Sequence, residues 1–452
     1  MTALYYTLGV LIFVFAILAS IGLHEFGHLI PAKKFGGKVT QWFVGFGPTV
    51  FSRRVGETEY GVKAIPLGGY VKIVGMLPPG KGEETVVDEH GETRVRQSNT
   101  GMFTQLISDA RAAEWEHVKP EDTDRLFYKF RSWQKVVVMA GGPMVNIAIA
   151  FFLFWGVFAT VGQVVDAKVE PVVAEVIPCI VPASEDGRAC TAEELRDNPS
   201  PAAAAGLEPG DRFVSFNGTP VTDWEQVQQA IRDNGDGTAT MVVERDGERV
   251  ELEATTQVQP RPLDSASPED LTPVGFLGVM PVATPVYETG GPVYTLQQMG
   301  HMTVDTVQAL VHLPVKVWGV ARAIVGLEER DPLGPVSVVG GGRIAGEVAS
   351  ADESTFAMQD KVVSLVMLVA GFNLFIGLFN FIPLLPLDGG HIAGALWEAA
   401  RRRFARLRGR PDPGYVDVAR LLPIAYVVGA AMLVMGMVLI VGDLVVPLHL
   451  DA

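Results

Sequence analysis

The chain has 452 residues, 48% of them hydrophobic and only 19% charged, with a mean hydropathy of +0.26. That balance excludes disorder as the dominant state and argues against a purely soluble protein. Its 36 basic and 51 acidic side chains leave a net charge of −15, which speaks against nucleic acid as a bulk partner.

Residues 1–35 hold an apolar run from Leu4 to Pro31, longer than the roughly 20 residues of helix that cross a bilayer. The run lacks the basic flank and cleavage site of a signal peptide and reads as a retained span. Within it stands His24-Glu25-Phe26-Gly27-His28. On a helix the two histidines project from one face toward a common point, where neutral imidazoles suit Zn²⁺ and Glu25 suits a general base. Ionisable groups in an apolar span are costly, which favours a functional reading over a structural one.

Residues 36–76 are glycine-rich and alternating, the pattern of short strands and tight turns in a β-hairpin region. The acidic segment 77–134 follows, with 77–127 read as a poorly ordered insertion holding one short helix. A second span is expected over 135–162. Residues 163–260 order as strand, cysteine loop, short helix, strand, helix and a two-stranded turn at Asp246-Gly247, the makings of a small α+β binding module. An amphipathic helical linker is expected over 261–360, broken at Gly340 to Gly342. A third span is expected over 361–392, a basic loop over 393–420 and a fourth span over 421–446.

Lysines and arginines set the orientation. Lys33, Lys34, Lys38, Arg53 and Arg54 follow the first span, Lys129, Arg131 and Lys135 precede the second, and Arg401, Arg402, Arg403, Arg406, Arg408 and Arg410 lie between the third and fourth. Both termini and the 163–260 module are therefore expected outside and the two basic loops inside. Cys179 and Cys190 are too few for a disulfide framework; facing an oxidising compartment they pair, and otherwise they are two free thiols.

A catalytic zinc needs a third protein ligand. Asp388, at the inner end of the third span, reaches a depth similar to that of His24, which is about 30 Å into its own. Pro383 and Pro386 break the helix just before it, and irregular backbone at that depth belongs where it lines a cavity. The competing readings are a turn aspartate before Gly389 and ligation by His391 instead.

The segments HEFGH, GFGP, PLGGYVK, GGPxxN and NxxPxxPLDGG, in this order, resemble the site-2 protease family, in its bacterial RseP-type branch of intramembrane zinc metalloproteases. The stretch AAGLEPGDRFVSFNG is similar to a bacterial PDZ domain. The resemblance implies an α-helical integral membrane protein: a four-span core, a membrane-associated β-hairpin region and one extracytoplasmic α+β PDZ-like domain. It implies His24, His28 and Asp388 as ligands of one Zn²⁺ per chain, and Glu25 as catalytic base. Asn380 would engage the substrate, and Gly45, Phe46, Gly47, Gly68 and Gly69 belong to the hairpin that would pair with it. The implied substrate is a membrane-anchored protein such as an anti-sigma factor, trimmed first by a site-1 protease. The implied location is the lipid bilayer of the bacterial plasma membrane, with the active site in its cytoplasmic half. The rival readings, a PDZ scaffold without catalysis and a metal transporter, give Glu25 no reason to stand between the histidines.

Overall fold

A computed structural model of the chain describes residues 2–79, 85–87, 93–95, 102–115, 118–181, 190–262, 271–352 and 357–449. The other parts of the 77–127 insertion and of the cysteine loop lie outside the described residues. The chain divides into two compact units, Met1–Thr160 with Gly290–Ala452, and Val161–Thr289.

The first unit begins with α1 (Thr2–Lys34), apolar around most of its circumference as a span must be. Gly36, at φ 85°, ends it: Gly37 N–H donates to Ala32 C=O and Gly36 N–H to Lys33 C=O. Strands β1 (Val39–Val55) and β2 (Thr58–Ile73) follow. The expected hairpin is folded over on itself. Gln41 stands opposite Lys72 on one side and Glu59 on the other, so the first half of β1 runs between the two ends of β2. The bend falls at Gly45 and Gly47, whose φ values of 92° and 81° favour glycine. Two short strands, β3 (Thr85–Val87) and β4 (Thr93–Val95), precede α2 (Met102–Trp115), the short helix expected in the insertion. It is firmly tied. Glu114 accepts from the Gly75 and Met76 N–H groups, and Arg111 donates to both carboxylate oxygens of Asp417. Helix α3 (Ser132–Thr160) completes this half.

The second unit is α+β. It comprises β5 (Gln163–Val176), α4 (Glu194–Asp197), α5 (Pro201–Ala205), β6 (Arg212–Phe216), β7 (Thr219–Pro220) and α6 (Trp224–Asn234). It continues with β8 (Thr238–Arg245), β9 (Glu248–Thr255), β10 (Gln257–Pro262), β11 (Leu271–Phe276) and β12 (Val279–Glu288). One sheet runs β12-β5-β6-β8-β9 with β7 beside β6, and β10 pairs β11. Phe213, Phe216, Val227, Ile231 and Met241 fill the core under α6. Asp223 caps α6 by accepting from Gln226 N–H. Cys179 and Cys190 are joined by a disulfide. The expected boundary at 260 is corrected: β11 and β12 belong to this unit rather than to a helical linker. Strand β12 pairs with β5, a partner far back in the chain, so no hairpin turn announces it. Pro281 and Pro285 also interrupt its alternation, which an edge strand tolerates.

The chain then returns to the first unit through α7 (Pro292–Ile324), α8 (Val338–Ser350), α9 (Met358–Asn380), α10 (Asp388–Leu407) and α11 (Leu422–Val445). Gly340 to Gly342 do not break the chain, as expected from sequence, but lie inside α8, capped by Ser337. Their purpose is close packing. A Cβ on Gly341 would stand 2.8 Å from the rings of Phe13 and Phe372, and one on Gly340 2.5 Å from Asp443. The expected third span is likewise shorter: α9 ends at Asn380, and an irregular link carries the chain to α10. Most of the expected basic loop is helix, because its alanines, leucines and arginines are good helix formers. Among the described residues four helices, within Thr2–Lys34, Ser132–Thr160, Met358–Asn380 and Val418–Val445, are long and apolar enough to cross a membrane. The protein is a multi-pass membrane protein with a β-containing unit.

Candidate metal centre

Two distant parts of the chain meet at three side chains. His24 and His28 sit one turn apart on α1, and Asp388 is the first residue of α10. The two Nε2 atoms are 3.2 Å apart, and Asp388 Oδ2 lies 3.3 Å from each. Small residues make the meeting feasible. Gly27 of α1 and Gly141 of α3 face each other so closely that a Cβ on either would collide with the other's carbonyl oxygen. Gly389 and Gly390 pack against the backbone of residues 381–385, which turns the chain tightly enough to present Asp388.

The tautomer of each neutral imidazole follows from its Nδ1 partner. His28 Nδ1 lies 2.8 Å from Val138 C=O, and a carbonyl only accepts, so Nδ1 carries the proton and Nε2 offers a lone pair. For His24 a relay of amides gives the same answer. Asn373 Nδ2 donates to Val369 C=O at 2.8 Å, so its Oδ1 accepts from Asn146 Nδ2 at 3.0 Å. Asn146 therefore turns its Oδ1 to His24 Nδ1, 2.6 Å away, and accepts the Nδ1–H hydrogen bond there.

With each Nδ1–H engaged from behind, the neutral imidazoles turn two Nε2 lone pairs toward a carboxylate oxygen. Asp388 Oδ2 is buried and has no hydrogen-bond partner. Such a set repels itself unless a cation lies at its centre. Separations of 3.2–3.3 Å match the edge, about 3.3–3.4 Å, of a tetrahedron whose centre lies about 2.0–2.1 Å from each vertex, the Zn–N distance. Two nitrogens and one oxygen leave the fourth vertex free for reaction. These residues fit zinc.

Glu25 is buried beside His24, and β2 passes directly over it: a Cβ on Gly69 would stand 3.0 Å from Glu25 Cγ. The Phe46 ring covers Gly68 and stacks on Tyr70 with centroids 6.1 Å apart. Gly45 and Gly47 shape the bend rather than touching the three converging side chains. Asn380 closes α9, its Nδ2 donating to Ile376 C=O at 3.1 Å. His391 stands outside the cluster, lining a cavity of about 20 Å³ with Lys135, Tyr128 and Glu398. Sequence reasoning missed Asn373 and the Val138 carbonyl. A polar asparagine inside an apolar span was a usable signal for the first; a backbone carbonyl has none.

The sequence profile of Peptidase family M50 matches residues 12–422. Zinc metalloprotease Rip1 of Mycobacterium tuberculosis is 34% identical over 458 residues, covering 98% of each chain. Zinc metalloprotease Rip1 of Mycolicibacterium smegmatis is 33% identical over 455 residues, again covering 98% of each.

Proposed function

The chain belongs to peptidase family M50, the site-2 proteases, and from that premise we propose which residues perform the work of this intramembrane zinc metalloprotease. His24, His28 and Asp388 hold the zinc, and Glu25 is the general base. The observation that carries this assignment is the convergence of two Nε2 atoms and a carboxylate oxygen 3.2–3.3 Å apart, with each histidine's Nδ1 engaged from behind by Val138 or Asn146.

Zinc held there supplies Lewis acidity, which acidifies a water and polarises the scissile carbonyl. Glu25 takes the proton from the attacking water and returns it to the leaving amide nitrogen. Val138 and Asn146 keep each Nδ1–H engaged, so the imidazoles stay fixed through the cycle. A substrate helix has no free backbone to offer and must unwind locally. The Gly68-Gly69 end of β2 then accepts the extended segment as an added strand and satisfies its backbone groups beside Glu25. Asn380 engages the same segment from the end of α9.

The substrate is a membrane-anchored protein, such as an anti-sigma factor, already trimmed by a site-1 protease. The α+β unit, a PDZ-like domain on the extracytoplasmic side, contributes none of the proposed ligands and regulates access. Both termini lie on that side of the bacterial plasma membrane, and the metal centre lies in its cytoplasmic half. The test is cleavage of a trimmed and an untrimmed single-span substrate in vesicles. Wild type is expected to cut the trimmed one and Glu25→Gln neither; wild-type cleavage by Glu25→Gln would overturn the assignment.

A further inference from the structure

Helix α10 has a surface that peptide hydrolysis does not use. Its inner side is locked to the first turn of α3: Glu398, 1% exposed, accepts from Lys135 Nζ at 2.9 Å and from Ser132 Oγ at 3.3 Å. Arg402 approaches Glu398 at 3.4 Å and lies over the Tyr415 ring. These contacts fix the rotation of the helix, and each residue turns it by about 100°. Leu396, Trp397, Phe404 and Leu407 then share one arc, about 100° wide, on the side away from Glu398. They are 55, 61, 52 and 77% exposed.

Arginines border this arc on both sides, Arg401 and Arg408 along one edge, Arg403 and Arg406 along the other. Six arginines and no acidic residue stand between 401 and 410, in a chain whose net charge is −15. Among the described residues Arg403, Arg406 and Arg408 form no salt bridge; Arg408 instead stacks 4.1 Å over the Phe404 ring. The lock to Ser132 and Lys135 puts the middle of α10 level with one end of a membrane-crossing helix. Trp133 and Val137, on that same end of α3, are exposed too.

We propose that α10 lies in the headgroup layer of the bilayer, its apolar arc among acyl chains and its bordering arginines on the phosphates of anionic phospholipid. An apolar strip between two basic edges is the pattern of an interfacial helix, and long arginine side chains reach from such a depth to the phosphates. The positive charge selects anionic lipid over a second copy of this acidic chain. The assignment stands apart from the zinc ligands, since none of these residues touches them.

The experiment uses the full chain in vesicles of phosphatidylcholine, alone or mixed with phosphatidylglycerol. Wild type is expected to retain phosphatidylglycerol preferentially after extraction, and less so at high salt. R403Q/R406Q/R408Q should lose that preference by about fivefold per arginine removed, while the corresponding lysine variant keeps most of it. Brominated acyl chains should quench wild type more than Trp397→Phe. Equal phosphatidylglycerol retention by wild type and a glutamine variant with unchanged thermal unfolding would overturn the proposal. So would equal quenching of wild type and Trp397→Phe, or cross-linking of this arc to a second copy.

Discussion

Replacing Asn146 with alanine disturbs the zinc site without touching a proposed ligand. The amide is fully buried, accepting from His24 Nδ1 at 2.6 Å and donating to Asn373 Oδ1 at 3.0 Å. Its removal leaves the His24 N–H and the Asn373 oxygen unpaired, each at about 1–3 kcal/mol in a buried setting. His24 escapes part of that penalty by moving its proton to Nε2, the atom that faces the metal. Zinc must then reverse the tautomer before it binds. The expected loss is therefore about 10- to 100-fold in zinc Kd, the range for groups that orient a ligand. Asn146→Asp keeps an acceptor for His24 and should lose less. A competition titration against a chromophoric chelator reads the Kd, with thermal unfolding as the check on folding. If folded Asn146→Ala bound zinc within about twofold of wild type, well inside that range, the relay would have no bearing on the site.

Glu25→Gln should keep its zinc, by metal analysis, while cleavage falls by roughly 10²- to 10⁴-fold; loss of metal would make Glu25 a structural support instead. Gly142→Ala should lose both zinc and activity in a folded protein, because the new Cβ would overlap His28 Nε2 and stand 2.7 Å from His24 Nε2; normal zinc content would refute that packing. In the α+β unit, burial works against the Asp211 carboxylate, but hydrogen bonds from Arg245 and the Glu208 N–H outweigh it and hold its pKa below 3.8. A depressed folded value means stability that is present above the unfolded pKa and lost as pH falls through the folded one. Arg245→Ala should therefore begin acid unfolding at a higher pH by circular dichroism, and an unmoved midpoint would count against the pair.

The spans and the three converging side chains were legible from sequence because chemistry restricts them to few residue types. HEFGH declares its geometry through a one-turn spacing, and Asp388 through its depth. The rest depended on contacts between distant segments. Gly340 to Gly342 carry the ordinary signature of a break, and it is the rings of Phe13 and Phe372 and the Asp443 carboxylate that make them a packing surface. Strand β12 has no local partner, so its place beside β5 had no local sign. The support of His28 comes from the Val138 main chain, which every residue type supplies equally. Asn146 was visible within a motif, yet its purpose required Asn373 on another helix.

The zinc content of purified wild type, His28→Ala, Asp388→Ala and His391→Ala decides which side chains hold the metal. One zinc per chain is expected in wild type, almost none in the His28 and Asp388 variants, and near-normal content in the His391 variant, whose side chain lies outside the cluster. Zinc kept by Asp388→Ala and lost by His391→Ala, with both proteins folded, would contradict that expectation.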